Sequence, residues 1–225
     1  MKTATLKSRQ RAKVLDAYRA RGRKNNSLWL VYSVKTNRDW LLTSNRQLVH
    51  WLFFLESAHG VKDFEIEADE RDTRSASYVN VLRVDGTREK HVIEPRLRAE
   101  VEIASSLGQT SQSAASDCVR VFTDAELKPI VPIAMRWQKA LAYASVLRDQ
   151  EHLPVRLALV PLLSSRENGT LADVLENTNE FNQALVIGML IRLTIEGYLE
   201  IDLTKHGLAF KSQWRLARGE QNVES

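Results

Sequence analysis

The side chains best suited to chemistry are Glu94 and Arg96, at the end of the second of two β-like runs within residues 82–100. Residues two apart on a strand share a face, so we expect the carboxylate and the cation to point the same way. Carboxylate oxygens suit a hard cation such as Mg²⁺, and the metal lowers the pKa of bound water so that it attacks at neutral pH. The pair therefore fits a metal-dependent nuclease site, the remnant of one, or a surface ion pair beside an ordinary hairpin.

Strands must position this pair. Residues 77–84 and 90–94 flank Asp85-Gly86, a dipeptide typical of a tight hairpin turn. Residues 61–69 alternate acidic with apolar side chains, which predicts a half-buried strand. Metal binding by its acidic face is disfavoured because the acids lie in one row without a convergent partner. We expect that face to be exposed.

A helix is predicted over residues 43–60, after a β-branched and aromatic run at 28–36 that predicts a strand. Thr43 or Ser44 can cap the start of the helix. Gln47 stands three residues after Ser44, as the partner residue does in a capping box. A capping role for Gln47 is favoured over a role in metal binding.

Cys118 is the single cysteine of the chain, so a disulfide framework is impossible and a reducing compartment is favoured. It lies within residues 117–123, predicted as a short buried strand, which indicates a core side chain rather than a nucleophile. The basic N-terminus lacks the apolar stretch of a secretory signal. The apolar runs are also shorter than the ~20 residues that span a membrane. We therefore expect a cytoplasmic protein without membrane contact.

The pattern changes after a predicted joint that ends in Leu153-Pro154. Three helices follow, the second capped by Thr170 and the third by Asn179, and then a hairpin turning at His206-Gly207. Three helices and a β-hairpin are the order of a winged helix. The chain is accordingly divided into a basic arm, an α/β domain, a winged-helix domain and a tail, at residues 1–26, 27–149, 150–218 and 219–225.

The charge of the chain is concentrated at its N-terminus. Residues 1–24 contain nine lysines and arginines against one aspartate, whereas the whole chain has a net charge of only +4, so the remainder is net acidic. A basic segment of this kind favours contact with nucleic acid or another polyanion. Residues 7–21 within it predict a basic helix. The candidate DNA contacts of the arm are Arg9, Arg11, Lys13, Arg19, Arg21, Arg23 and Lys24.

In the winged-helix segment, Asn182 and Gln183 begin the third predicted helix, where their amides can read adenine edges in a major groove. That helix start lacks the lysines and arginines that usually anchor phosphates. Positive charge lies instead on the hairpin, at Lys205, His206, Lys211, Arg215 and Arg218, of which the first three are the candidate DNA contacts. Contact with DNA through the hairpin and docking of a protein partner both stay open.

The order of these segments resembles the TnsA-type endonuclease subunits of heteromeric transposases. The likeness extends over most of residues 28–216 and rests on four stretches: "SNRQLVHWLFFLE", "GVKDF", "SYVNVLRVDGTREKHVIEPR" and "VRVFTDAELKP". It implies a restriction-endonuclease-like α/β domain followed by a winged helix. In such nucleases a helix Glu, a strand Asp and a second-strand Glu or Gln converge on Mg²⁺, and a Lys two residues later positions the attacking water.

The chain departs from that pattern where catalysis would occur. Gln47 occupies the helix Glu position, residues 75–78 hold no acid at the strand Asp position, and Arg96 replaces the Lys. Glu94 is the one acid in place and at best a metal ligand, and Arg is not a neutral swap for Lys. Gln47, Glu94 and Arg96 are therefore vestigial catalytic candidates, which favours a protein that is not an active enzyme.

The resemblance implies a DNA-binding subunit of a transposition machinery whose nuclease activity is lost or reduced. Its implied partners are DNA, a transposase subunit and an ATPase regulator, and Mg²⁺ is needed only if cleavage is retained. One alternative is a winged-helix DNA-binding regulator whose N-terminal domain binds a partner or effector. The other is an active Mg²⁺-dependent endonuclease with a migrated site, built from Glu94, Asp85 or Asp72, and Glu65 or Glu67.

Overall fold

The computed structural model describes Asp16 and residues 28–43, 46–67, 77–93, 118–148 and 152–217. Two strands open it, β1 (Leu28–Ser33) and β2 (Arg38–Thr43), which pair antiparallel. The sequence predicted one strand over 28–36 and missed the second. The chain reverses at residues 34–37, where Asn37 adopts a left-handed φ of 49°. Asparagine tolerates this conformation better than most residues.

Helix α1 (Arg46–Ser57) follows, within the predicted range 43–60. Its apolar residues at helical spacing, among them Leu48, Trp51, Leu52 and Leu55, are buried. The helix ends before Gly60, and the chain enters the four-stranded sheet at once.

That sheet contains β3 (Val61–Glu67), β4 (Ser77–Arg83), β5 (Arg88–Ile93) and β6 (Cys118–Phe122), in this order. The first three strands are antiparallel neighbours, and β6 runs parallel to β5. The predicted hairpin at Asp85-Gly86 is confirmed as the β4–β5 turn, with Gly86 at a φ of 86° that favours glycine. The sheet is mixed, and the fold class is α/β.

The acidic strand prediction is also confirmed. Asp63 and Glu65 are exposed, while Phe64 and Ile66 are buried. Val61 is buried as well, although strict alternation would place it beside the acids. The register of β3 against β4 shifts between Val61 and Asp63, so the strand changes face at that irregularity.

The prediction that Cys118 lies in a buried strand is wrong. The strand β6 forms, but Cys118, Val119 and Arg120 are exposed, and burial begins only at its end with Phe122. In the part of the sheet that the structure describes, β6 is an edge strand. An apolar run alone does not distinguish such an edge from a central strand.

Two helices lead away from the sheet, α2 (Asp124–Leu127) and α3 (Val131–Ser145). The buried side of α3 includes Trp137, Ala140, Leu141 and Ala144. This helix packs against α1 and against a helix of the C-terminal segment. It therefore connects the layer over the sheet with the rest of the molecule.

The C-terminal segment consists of α4 (Leu153–Arg166), β7 (Asn168–Thr170), α5 (Leu171–Asn177), α6 (Gln183–Ile195), β8 (Leu199–Ile201) and β9 (Gln213–Leu216). Its three strands form an antiparallel sheet in the order β7-β9-β8. The three helices and the strand pairing at the predicted hairpin are as expected. The short strand β7 was not predicted.

Two helix caps were predicted here, with opposite outcomes. Thr170 caps α5 in a reciprocal capping box with Asp173, as predicted. The cap of α6 is Asn182 rather than Asn179, because the Asn182 side chain accepts from the Ala184 amide at 2.9 Å while residues 178–180 still form a turn.

Buried side chains from α1, the four-stranded sheet, α3 and the C-terminal helices form one hydrophobic cluster. The two-domain division stays a prediction. Among the described helices, none has both the length and the apolar character needed to cross a membrane.

Candidate functional site

Two side chains on β5, Glu89 and His91, form the centre of a charged cluster against α1. They are two residues apart, so their side chains lie on the same face of the strand. His91 Nε2 lies 2.8 Å from Glu89 Oε2. Trp51 of α1 donates from its indole nitrogen to His91 Nδ1 at 3.2 Å. His91 Nδ1 is therefore the acceptor, so Nε2 carries the proton and donates it to Glu89.

Two arginines complete the charge balance of this cluster. Arg83 Nε donates to Glu89 Oε1 at 3.1 Å, and Arg120 lies 3.8 Å from the other carboxylate oxygen. Burial acts to raise the pKa of Glu89, but the hydrogen bonds from His91 and Arg83 outweigh it and hold that pKa below its usual range. Burial lowers the pKa of His91, and Glu89 offsets only part of this effect. The imidazole is thus neutral at pH 7.

The aromatic surroundings of His91 explain its burial. Its ring lies edge-on to Trp51 and Phe122, and Trp51 also contacts Phe122 with ring centroids 4.3 Å apart. Both ring nitrogens of His91 are occupied within the protein, so neither is available as a base for a substrate. The cluster is best explained as an anchor that holds α1 on the sheet.

This anchor was not found from the sequence, although Glu89 and His91 are an acid and an imidazole two residues apart, with Glu89 directly before the predicted strand 90–94 and His91 within it. The same spacing drew attention to Glu94 and Arg96. The partner that determines its role, Trp51, lies 40 residues away in the chain.

A second buried carboxylate, Glu56, lies near the end of α1. It accepts from the Ser33 hydroxyl, from the Val34 amide at 3.1 Å and from the Lys35 amide at 3.4 Å. Burial raises the pKa of Glu56, with the Ser33 hydrogen bond acting in the opposite direction. The carboxylate thereby holds the β1–β2 turn against the helix.

Lys35 completes that junction. Its ammonium donates to the main-chain oxygens of Leu55 at 2.8 Å and Ala58 at 2.5 Å, which are carbonyls at the C-terminal end of α1. Burial lowers the pKa of Lys35 to about 8, and Glu56 acts against that shift. Like the anchor on β5, this junction has its polar atoms engaged by protein groups.

Two of the acids proposed for a migrated metal site, Asp85 and Glu65, are engaged by protein groups. Asp85 accepts from the Thr87 amide and hydroxyl at 2.9 and 2.7 Å, and Glu65 pairs with Arg38 at 3.2 Å. Within the described ranges, no three His, Cys, Asp or Glu side chains are grouped so that they could hold a metal ion. Asp72 and Glu94 lie outside those ranges, and the side chain of Glu67 is not described.

Most sequence-predicted site residues likewise lie outside the described part of the chain. Gln47 is in the first turn of α1, but its side chain is not described, so its capping and metal roles both stay predictions. The basic helix predicted over residues 7–21 also falls outside, except for Asp16. The other candidates outside the description are Glu94, Arg96, Arg9, Arg11, Lys13, Arg19, Arg21, Arg23 and Lys24.

The remaining candidates lie around the N-terminal end of α6 and the loop between β8 and β9, residues 202–212. Gln183 is exposed at the first turn of α6, and the amide oxygen of Asn182 is engaged in capping that helix. Lys205, His206 and Lys211 are exposed on the loop. These residues share one end of the C-terminal segment.

Helix α6 itself is enclosed over most of its length. Eight of its residues are buried: Val186, Ile187, Gly188, Met189, Leu190, Ile191, Leu193 and Thr194. A helix that is apolar around its whole circumference belongs to a core. Gln183 is the one exposed residue between Gln183 and Ile195, so the first turn is the part of α6 most open to a ligand.

Two cations of α3 hold the 202–212 loop in place. Arg136 donates from a guanidinium nitrogen to the Thr204 carbonyl, and Lys139 Nζ donates to the Leu208 carbonyl at 3.3 Å. Because the loop is attached to α3 at both points, its exposed cations are presented from a braced support.

A groove of about 630 Å³ separates the loop, α3 and the first turn of α6. Its walls are mainly apolar, with Phe210 on the loop 61% exposed. Ten residues line it: Lys139, Tyr143, Leu171, Asn182, Gln183, Ala184, Ile187, Leu208, Ala209 and Phe210. The groove and the cationic loop beside it form a candidate binding surface.

Comparison of the chain with protein-family models, curated proteins and solved structures finds no match. Function is therefore inferred from the sequence resemblance, the order of strands and helices, and this surface.

Proposed function

We propose that the protein is a DNA-binding, TnsA-like subunit of a transposition machinery whose nuclease activity is lost or reduced. The observation that carries the DNA-binding part is the braced loop 202–212, which presents Lys205, His206 and Lys211 to solvent. Phosphate contacts by such cations supply most sequence-independent affinity for DNA. The basic arm adds further positive charge on the same chain.

The order of elements supports the nuclease-like part of the proposal. Helix α1 precedes three antiparallel strands, and the fourth strand, β6, is parallel to β5. This order agrees with the capped helix and following strands on which the resemblance rests. The four-stranded sheet with α1 on one face is accordingly proposed as a restriction-endonuclease-like domain.

The C-terminal elements support a winged helix. A helix, a short strand, two further helices and a strand pair follow one another, and all three strands form one sheet. In this proposal residues 202–212 are the wing. Because α6 is enclosed, the wing and the first turn of α6 make the DNA contact.

Loss or reduction of cleavage is supported by residue identity. Strand β4 contains no acid between Ser77 and Arg83, and the nearby Glu89 is engaged by Arg83 and His91. Glu94 alone, with Gln47, would bind Mg²⁺ poorly because hard cations require several oxygen ligands. A transposase subunit, an ATPase regulator and a cytoplasmic location complete the proposal on the resemblance alone.

One experiment separates binding from cleavage. The protein is incubated with supercoiled plasmid in Mg²⁺ or Mn²⁺, and its binding to a labelled duplex is measured in parallel. We expect binding without nicking. Metal-dependent nicking that Glu94→Ala abolishes would instead establish the migrated-site nuclease.

The partner part needs its own test. Addition of the transposase from a neighbouring gene is expected to change the affinity or the footprint of the protein on DNA. Binding to a single operator, unaffected by any transposase, would favour the regulator.

A further inference from the structure

We infer that the groove between α3, the first turn of α6 and loop 202–212 accepts an unpaired nucleobase of the DNA that the protein binds. The inference rests on the proposed DNA binding and names the part of the DNA that this site takes. It predicts a preference for duplexes with one extrahelical base, which phosphate contacts alone would not produce.

The groove has the size and composition of a small-ligand site. Its volume of about 630 Å³ falls within the ~300–1,000 Å³ typical of such sites. The floor of the groove is apolar. It is formed by Leu171, Ile187 and Leu208, whose side chains are buried. A flat, largely apolar base can enter without displacing a charged group from the floor.

Two aromatic rings stand at its walls. Phe210 is 61% exposed on the loop, and Tyr143 is half-buried on α3. An exposed aromatic ring next to a cation, here Lys211, is the arrangement on which bases of single-stranded nucleic acid stack. The exposed amide of Gln183 at the same groove offers both a donor and an acceptor for a base edge.

The charges around the groove favour a nucleic acid over a peptide with an apolar anchor. Lys139 lines it, and Lys205, His206 and Lys211 lie on the loop that forms its wall. Asp202 is the acid of that loop, and it accepts from the Thr204 amide and hydroxyl. Its negative charge is outnumbered, so the phosphates that flank an inserted base would meet net positive charge.

The test uses two duplexes that differ by one inserted nucleotide, one fully paired and the other carrying a single extrahelical 2-aminopurine. We expect the second to bind about tenfold more tightly, because one stacked base contributes about that factor. The fluorescence of 2-aminopurine is also expected to fall when the base stacks in the groove. Equal affinity for the two duplexes, or unchanged fluorescence, would overturn the inference.

Three variants locate the effect. Phe210→Ala is expected to abolish the preference, so that the two duplexes bind with equal affinity, and Phe210→Trp is expected to retain it. Leu153→Ala, at an equally exposed apolar residue on α4, should change neither. A preference unaffected by Phe210→Ala would also refute the site.

The outcomes for the two proposals differ. Binding to paired DNA with no preference for the unpaired base refutes the groove inference alone, and leaves the groove to an acidic peptide as the competing occupant. No binding to either duplex refutes both.

Discussion

Gly188 of α6 contacts the main chain of α3 so closely that a Cβ atom built on it would lie 2.6 Å from the carbonyl oxygen of Tyr143. The same Cβ would be 3.3 Å from the Leu147 side chain. The obstacle is backbone, which cannot move aside as a flexible side chain can. The close backbone contact between α3 and α6 therefore requires Gly188, because glycine has no Cβ atom.

Gly188→Ala is expected to lower the free energy of unfolding by about 1–3 kcal/mol, since overpacking forces backbone shifts of this cost. Urea denaturation measures the change. Gly207→Ala is the matched control, because no atom lies within 4 Å of the Cβ position there. If both variants lose the same stability, the helix contact is not as close as described.

Local signals predicted the parts of the fold that neighbouring residues determine. The capping box at Thr170 needs only Asp173 three residues later, and the β4–β5 turn needs only Asp85-Gly86. The cap of α6 shows the limit of such signals. Asn179 and Asn182 are equally suitable by type, and packing of the helix decides between them.

Long-range contacts explain what the sequence did not predict. The role of His91 depends on Trp51, and that of Glu56 depends on Ser33, 23 residues away in the chain. Cys118 lies in an apolar run of the sequence that is typical of a core strand. Its side chain is nevertheless exposed, on a strand at the edge of the described sheet. A short sequence pattern shows neither which distant residue a side chain will contact nor where its strand lies in the sheet.

The buried carboxyl of Glu56 is expected to make stability depend on pH. Its pKa in the folded protein is raised above the ordinary value of 4.5. Its stabilising contribution is therefore complete below that value and is lost as pH rises through the folded pKa. Denaturation curves should show that the wild-type protein loses stability relative to Glu56→Gln as pH rises from 4.5 to the folded pKa. Glu180→Gln, at an exposed acid, is the control for the loss of a carboxylate elsewhere on the chain.

Lys35 is expected to produce a trend in alkaline solution. Its pKa is lowered from 10.5 to about 8 by burial. A depressed pKa gives stability that is complete above 10.5 and is lost as pH falls through about 8. As pH rises from about 8 to 10.5, the wild-type protein should gain stability relative to Lys35→Met. A constant difference across that window would mean that the amine titrates normally.

His91 is expected to remain neutral as the solution becomes moderately acidic. Burial lowers its pKa from 6.5, so its contribution is present above that value and is lost as pH falls through the folded pKa. His91→Ala should cost about 2 kcal/mol at neutral pH, because Trp51 and Glu89 lose a buried partner. Nitrogen NMR of the imidazole should place the proton on Nε2. His59→Ala, at an exposed histidine, is the control for stability.

Lys205 and Lys211 are expected to contact DNA phosphates. Each neutralised phosphate contributes about −0.9 to the slope of log affinity against log salt concentration, so Lys205→Ala with Lys211→Ala should make the slope shallower by about 2. Arg215→Ala is the matched control, because Arg215 is exposed but already pairs with Glu200, with Nε to Oε2 at 2.7 Å. Fluorescence anisotropy with a labelled duplex over a salt series measures both slopes. An unchanged slope for the double variant would remove the loop from the DNA interface, and an equal change in Arg215→Ala would mean that the effect comes from net charge rather than from contact.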